Sequence, residues 1–138
     1  MIGYAEGQMP SVPDGLRVAL VHSAAQYPGM VEDFPWGERV AKVNKKVFAF
    51  LGRDDGPRVA VAFKLPESCG HALSFAASEP TGHGLGRAGW VTIHLDRPER
   101  PGGELLLAWL DESYRAVAPA KLVAQLDANR MSKEEPRS

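Results

Sequence analysis

The spacing of apolar residues changes period along the chain, and each change marks an element. Leu16, Ala19, Leu20, Ala24 and Tyr27 recur at three- and four-residue intervals behind Pro13 and Asp14, which predicts a helix started by an Asp14 cap and stopped by Pro28-Gly29. Residues 32–37 read as a turn-rich link carrying Phe34 and Trp36. The β-branched and aromatic content of 39–43 and 46–51 around Asn44-Lys45 predicts a hairpin. In a third strand, 58–65, Val59, Val61 and Phe63 alternate with the small or basic Ala60, Ala62 and Lys64. A helix is expected over 66–77, because Pro66 and Glu67 suit a first turn, and a glycine-rich loop then runs to Gly89. A strand over 90–95 sets Val91, Ile93 and Leu95 against Trp90, Thr92 and His94. The last strong signal is an amphipathic helix from Glu104, with Leu106, Trp109, Leu110, Tyr114 and Val117 on one stripe. Pro119 interrupts it before a further turn or two bearing Leu122, Val123 and Leu126.

The order α-β-β-β-α-β-α, with short turns between successive strands, predicts an α+β fold. It is a two-layer arrangement, a mainly antiparallel sheet with helices on one face. Residues 1–128 are expected to form a single domain, and 129–138, which lack periodic apolar residues, a disordered tail. No internal repeat is found.

Composition narrows the function classes. Of 138 residues, 44% are hydrophobic and 24% charged, with 16 Lys and Arg against 17 Asp and Glu for a net charge of −1. No global field therefore draws the protein to a polyanion, and nucleic-acid binding would have to come from a local patch. Such a patch exists in the sequence: residues 39–64 hold Arg39, Lys42, Lys45, Lys46, Arg53, Arg58 and Lys64 against Asp54 and Asp55. The longest apolar runs, 47–51, 59–63 and 105–110, fall well short of the about 20 residues that span a bilayer, so no membrane association is expected. The first ten residues lack the basic and apolar regions of a signal peptide, and a cytoplasmic location is expected. The single Cys69 fits a reducing compartment.

Four short strings stand in register over one domain: Glu32-Asp33-Phe34-Pro35-Trp36-Gly37; Val40-x-Lys42-Val43-x-x-Lys46-Val47-Phe48-Ala49; Phe63-Lys64-Leu65-Pro66; and Gly86-Arg87-Ala88-Gly89-Trp90-Val91. Together they resemble the MmcQ/YjbR family over roughly residues 14–128. The resemblance implies a small α+β fold likened to secretion chaperones or a "double wing", and a DNA-binding label that rests largely on fold analogy. His83-Gly84 departs from the pattern, at a place where many relatives carry an aromatic.

The candidate nucleic-acid contacts are Lys42, Lys45 and Lys46 on the hairpin, Lys64 on the third strand, and Arg87 with Trp90 at the fourth. These cations could clamp phosphates while an exposed Trp36 or Trp90 stacks on a base. The simpler reading makes the lysines a solvated edge and the tryptophans core. Thr81 to Arg87 could form an anion nest, but the loop leads into a strand instead of a helix and reads more simply as a flexible connection. Cys69, His71 and His83 have no accepted metal-ligand spacing, and neither metal nor cofactor is expected. The acid pairs Glu32-Asp33, Asp54-Asp55 and Asp111-Glu112 read as solvated turns and helix faces. No catalytic motif occurs, so no catalytic residue is assigned and an enzyme is not expected. The alternative partner is a protein, either a second copy or a client held as secretion chaperones hold theirs.

Overall fold

The computed structural model describes residues 9–134. The first apolar stripe forms α1 (Pro13–Ala24), with Pro13 in the first turn, where a missing N–H costs nothing. Asp14 makes no cap; it lies one turn before Arg17, 3.6 Å from its Nε. The chain continues through β1 (Met30–Asp33), β2 (Glu38–Val43), β3 (Lys46–Arg53), β4 (Ala60–Lys64), α2 (Cys69–Leu73), β5 (Ser78–Pro80), β6 (Trp90–His94), α3 (Gly103–Val117) and α4 (Ala120–Glu134). All strands join one antiparallel sheet in the order β1-β2-β3-β4-β6-β5. Helix α3 lies against β3 and β4, and α1 against β3 and α3. His71 of α2 meets Trp109 of α3 edge-on at 5.7 Å and so joins the same layer.

The alternation in the sequence sorts the two faces of the sheet. Val61 and Phe63 of β4 pair with Ile93 and Val91 of β6, and all four are buried beneath Leu106, Leu110 and Tyr114. Ala60, Ala62 and Lys64 share the opposite face with His94, Thr92 and Trp90. The α+β expectation therefore holds in class and layering.

The element count and several bounds differ from expectation. Two short edge strands escape the period-2 signal. In β1 three of four residues are exposed, and two of those are acidic; β5 is three residues ending in Pro80, an imino acid that a sheet tolerates only at its edge. The helix expected over 66–77 is confined to the five residues of α2. Beyond Pro119, a helix expected to fade by Leu126 runs to Glu134. Residues 129–134 are thus helical instead of disordered, and 135–138 lie outside the described residues. Ala118, extended at ψ 148 as a residue before proline should be, separates α3 from α4.

Strand β3 carries two irregularities that no periodic pattern announces. Ala41 pairs with Ala49 but Lys42 pairs with Val47, so Phe48 is an extra residue and turns into the core beside Ala49. Nearer its end, Glu38 pairs with Arg53 and Val40 with Phe50. Gly52 there sits at φ +79, and a Cβ on it would lie 2.8 Å from the Ala60 carbonyl oxygen.

Candidate functional site

The tip between β2 and β3 is a two-residue turn in which Asn44 and Lys45 both have positive φ, 52 and 71, the geometry that matches strand twist. It projects Lys45 and Lys46 into solvent. Because β4 runs antiparallel to β3, its last residue, Lys64, comes back to the same end of the sheet. Lys64 pairs with Trp90, the first residue of β6. Its backbone N–H is held by the Ser113 hydroxyl at 2.8 Å. Arg87 lies just ahead, exposed on the 3-10 turn Leu85–Ala88, and the carbonyl of Gly89 accepts from Leu65 N–H at 2.9 Å, tying that turn to the end of β4. The fold therefore carries Lys42, Lys45, Lys46, Lys64, Arg87 and Trp90, from three separate stretches of sequence, to one end of the sheet.

Their chemical states differ. Lys42 is committed to Asp33 at 2.8 Å, a bond that is the main reason the Asp33 carboxyl sits below its usual value. Lys45, Lys46, Lys64 and Arg87 form no ion pair among the described residues. Trp90 is only 7% exposed and meets Phe50 edge-on at 5.2 Å, so it serves as floor and not as a stacking platform. Trp36 is the exposed tryptophan, at 92%, with its backbone at φ 50 and its carbonyl accepting from Arg53. It precedes β2, whereas Lys42 lies near the far end of that strand and Lys45 and Lys46 follow it. The length of that strand, roughly 20 Å, separates the two, and no Trp–Lys clamp forms.

The other end of the sheet shows why the basic run is not a single patch. Arg39 binds Glu32 and, at 2.7 Å, Asp54; Arg17 reaches the same Asp54 at 2.8 Å. Hydrogen bonds from Arg39 and then Arg17 keep the Asp54 carboxyl below its ordinary range. Glu32, Asp33 and Asp54, read from sequence as solvated acids, are charge partners. Ion pairing thus engages Arg39 and Arg53 at one end of the segment 39–64, where Arg58 forms no pair among the described residues, and leaves Lys45, Lys46 and Lys64 unpaired at the hairpin end.

Asp111 departs furthest from the solvated reading. Its side chain is 24% exposed and accepts from Tyr27 at 2.9 Å, Arg115 at 2.7 Å and Arg130 at 2.8 Å, while Arg115 also holds Asp127 at 2.7 Å. Burial alone would raise its pKa, but the bonds from Arg115, Arg130 and Tyr27 outweigh burial and lower it. The i,i+4 spacing of Asp111 and Arg115 was the legible hint; the long-range partners had none. A carboxylate depressed in the fold stabilises it fully above its unfolded value of about 3.9 and loses that contribution as pH falls through the folded value. The stability gap between the natural protein and Asp111→Asn is therefore expected to be widest near pH 6 and to close below about pH 4. Urea midpoints measured across that range check it, and a gap independent of pH would refute the assignment.

Glu112, the other member of that acid pair, accepts from the N–H groups of Glu67 and Ser68 at 2.9 and 3.0 Å. No group of three or more His, Cys, Asp or Glu side chains could hold a metal ion among the described residues. No described helix is long and apolar enough to cross a membrane. A family model described as YjbR matches residues 25–116. Comparison with curated proteins returns no match.

Proposed function

This chain belongs to the YjbR family, and from that membership together with the cationic sheet end we propose that it is a cytoplasmic binding protein contacting DNA. The observation that carries the reading is the gathering of Lys45, Lys46, Lys64 and Arg87, none in an ion pair among the described residues, at one end of the sheet. Phosphates are the natural partners of such a set, because each contact releases condensed counterions. With Trp90 buried and Trp36 at the opposite end, base stacking contributes little, and the contact is sequence-tolerant. Fluorescence-anisotropy titration with short single- and double-stranded DNA over a series of salt concentrations tests it. Four phosphate contacts give a log–log slope of about −3 on single strands, and Lys45→Ala/Lys46→Ala is expected to reduce it to about half. Absence of binding at low salt, or an unchanged slope in the double variant, would overturn the reading.

A second reading, a surface for a protein partner or a second copy of this chain, draws on the exposed Val31, Phe34 and Trp36 at the β1 edge. It predicts no salt-dependent DNA binding, so the same titration separates the two.

A further inference from the structure

A groove of about 820 Å³ opens in the helix layer between α1, α3 and α4. Its existence follows from how α4 is held. Leu126 is the one fully buried side chain of that helix among the described residues; Leu122 and Val123 before it pack half-buried against the core, and the helix is latched to α3 by the Asp111–Arg130 and Arg115–Asp127 pairs. Beyond Leu126 the latch is made of long polar side chains, and the space there is not closed by an apolar face. The volume falls within the range of small-ligand pockets.

The lining is chemically specific. Leu107 and Ala108 of α3 and Leu126 of α4 supply apolar surface. Ser23, on the α1 wall, is only 9% exposed, and its Oγ is shielded from solvent with no hydrogen-bond partner among the described residues. An orphaned buried hydroxyl is costly and uncommon, and because its residue lines the groove, a ligand atom that displaces the atoms covering it gains a partner there. On the α4 wall Arg130 and Lys133 are three residues apart and so share a helix face, and Lys133 forms no ion pair among the described residues. The acid in the groove, Asp111, is already satisfied by Tyr27, Arg115 and Arg130, so it does not cancel Lys133.

We propose that this groove binds a small organic anion with an apolar body, its carboxylate at Lys133 and Arg130, and a second polar group at Ser23 on the opposite wall. The inference is independent of the DNA reading, which concerns the sheet end. Three probes test it by calorimetric or NMR titration of the full chain: 3-(4-hydroxyphenyl)propanoate, its amide, and 3-phenylpropanoate. The hydroxylated anion is expected to bind saturably, about three- to tenfold more tightly than either analogue, as one charge or one hydrogen bond permits. Lys133→Ala should erase the preference over the amide. Ser23→Ala should erase the preference over 3-phenylpropanoate without lowering the melting midpoint, because it removes an unsatisfied group. Ala108→Trp, at an exposed position, should block all three probes while the protein stays folded by circular dichroism. Equal affinity for anion and amide, unaltered binding in the folded Ala108→Trp protein, or no saturation by about 10 mM, weaker than the roughly 4 kcal/mol of a millimolar complex, would overturn the proposal.

Discussion

Replacing Phe48 by alanine is expected to destabilise the protein by about 3–5 kcal/mol, the cost of emptying a fully enclosed aromatic site. Phe48 is fully buried and meets the Tyr114 ring edge-on at 5.2 Å and the Tyr27 ring at 5.9 Å, so its loss strips contacts from β3, α3 and the turn that follows α1 together. The extra residue in β3 exists to deliver this ring inward: without the bulge, strict alternation would place Phe48 and Ala49 on opposite faces. Urea unfolding at neutral pH measures the effect, with an unchanged denaturant slope showing that stability and not compactness has moved. A loss below about 1.5 kcal/mol would mean that Tyr27 and Tyr114 close over the space, and that the bulge is not a packing device.

The second large effect concerns one hydroxyl. Ser113 is completely buried on α3; its Oγ–H donates to the Phe48 carbonyl, and the same oxygen accepts from Lys64 N–H at 2.8 Å. At the bulge the sheet ladder is interrupted, and this hydroxyl supplies the partners that the ladder does not. Ser113→Ala removes the hydroxyl partner of a buried carbonyl and of a backbone N–H, each worth about 1–3 kcal/mol, for an expected loss of about 2–6 kcal/mol. A loss no larger than that of a solvent-exposed serine would show that water takes over both groups. Because Lys64 sits beside Trp90 at the cationic end, a folded Ser113→Ala protein is also expected to bind DNA more weakly, which the anisotropy titration reads directly.

Much of the fold was legible because it depends on local burial. In β4 and β6 every second residue faces the helices, and in α3 the stripe of Leu106, Leu110 and Tyr114 faces the sheet, so the sequence pattern and the packing pattern coincide. The edge strands were not legible, since β1 has one open side and takes its conformation from pairing with β2 more than from its own composition. The far end of α4 was hidden for a related reason. Its anchors are Asp127 and Arg130, polar residues whose partners lie on α3 and at Tyr27.

The candidate site divides in the same way. The residue types were visible in sequence, and the six chosen positions share one end of the sheet, but exposure and charge state were not visible. Asp54 takes charge from Arg17, 37 residues earlier, and from Arg39, 15 residues earlier; Lys42 is neutralised by Asp33 across a strand pair. Trp36 and Trp90 exchange the roles that a stacking site would want, because Trp90 lies on an interior strand beside Phe50 and Trp36 lies in a turn at the sheet edge.

By itself, then, the sequence determined the α+β class, the core-facing residues of β4, β6 and α3, and the local surplus of cations, all of which depend on neighbours a few positions away. Tertiary structure alone decided which of those cations stay unpaired, that Phe48 enters the core, and that an ion-latched helix leaves a groove behind it. Those outcomes rest on pairings between residues tens of positions apart, where charge and volume are matched in space and no local period records the match.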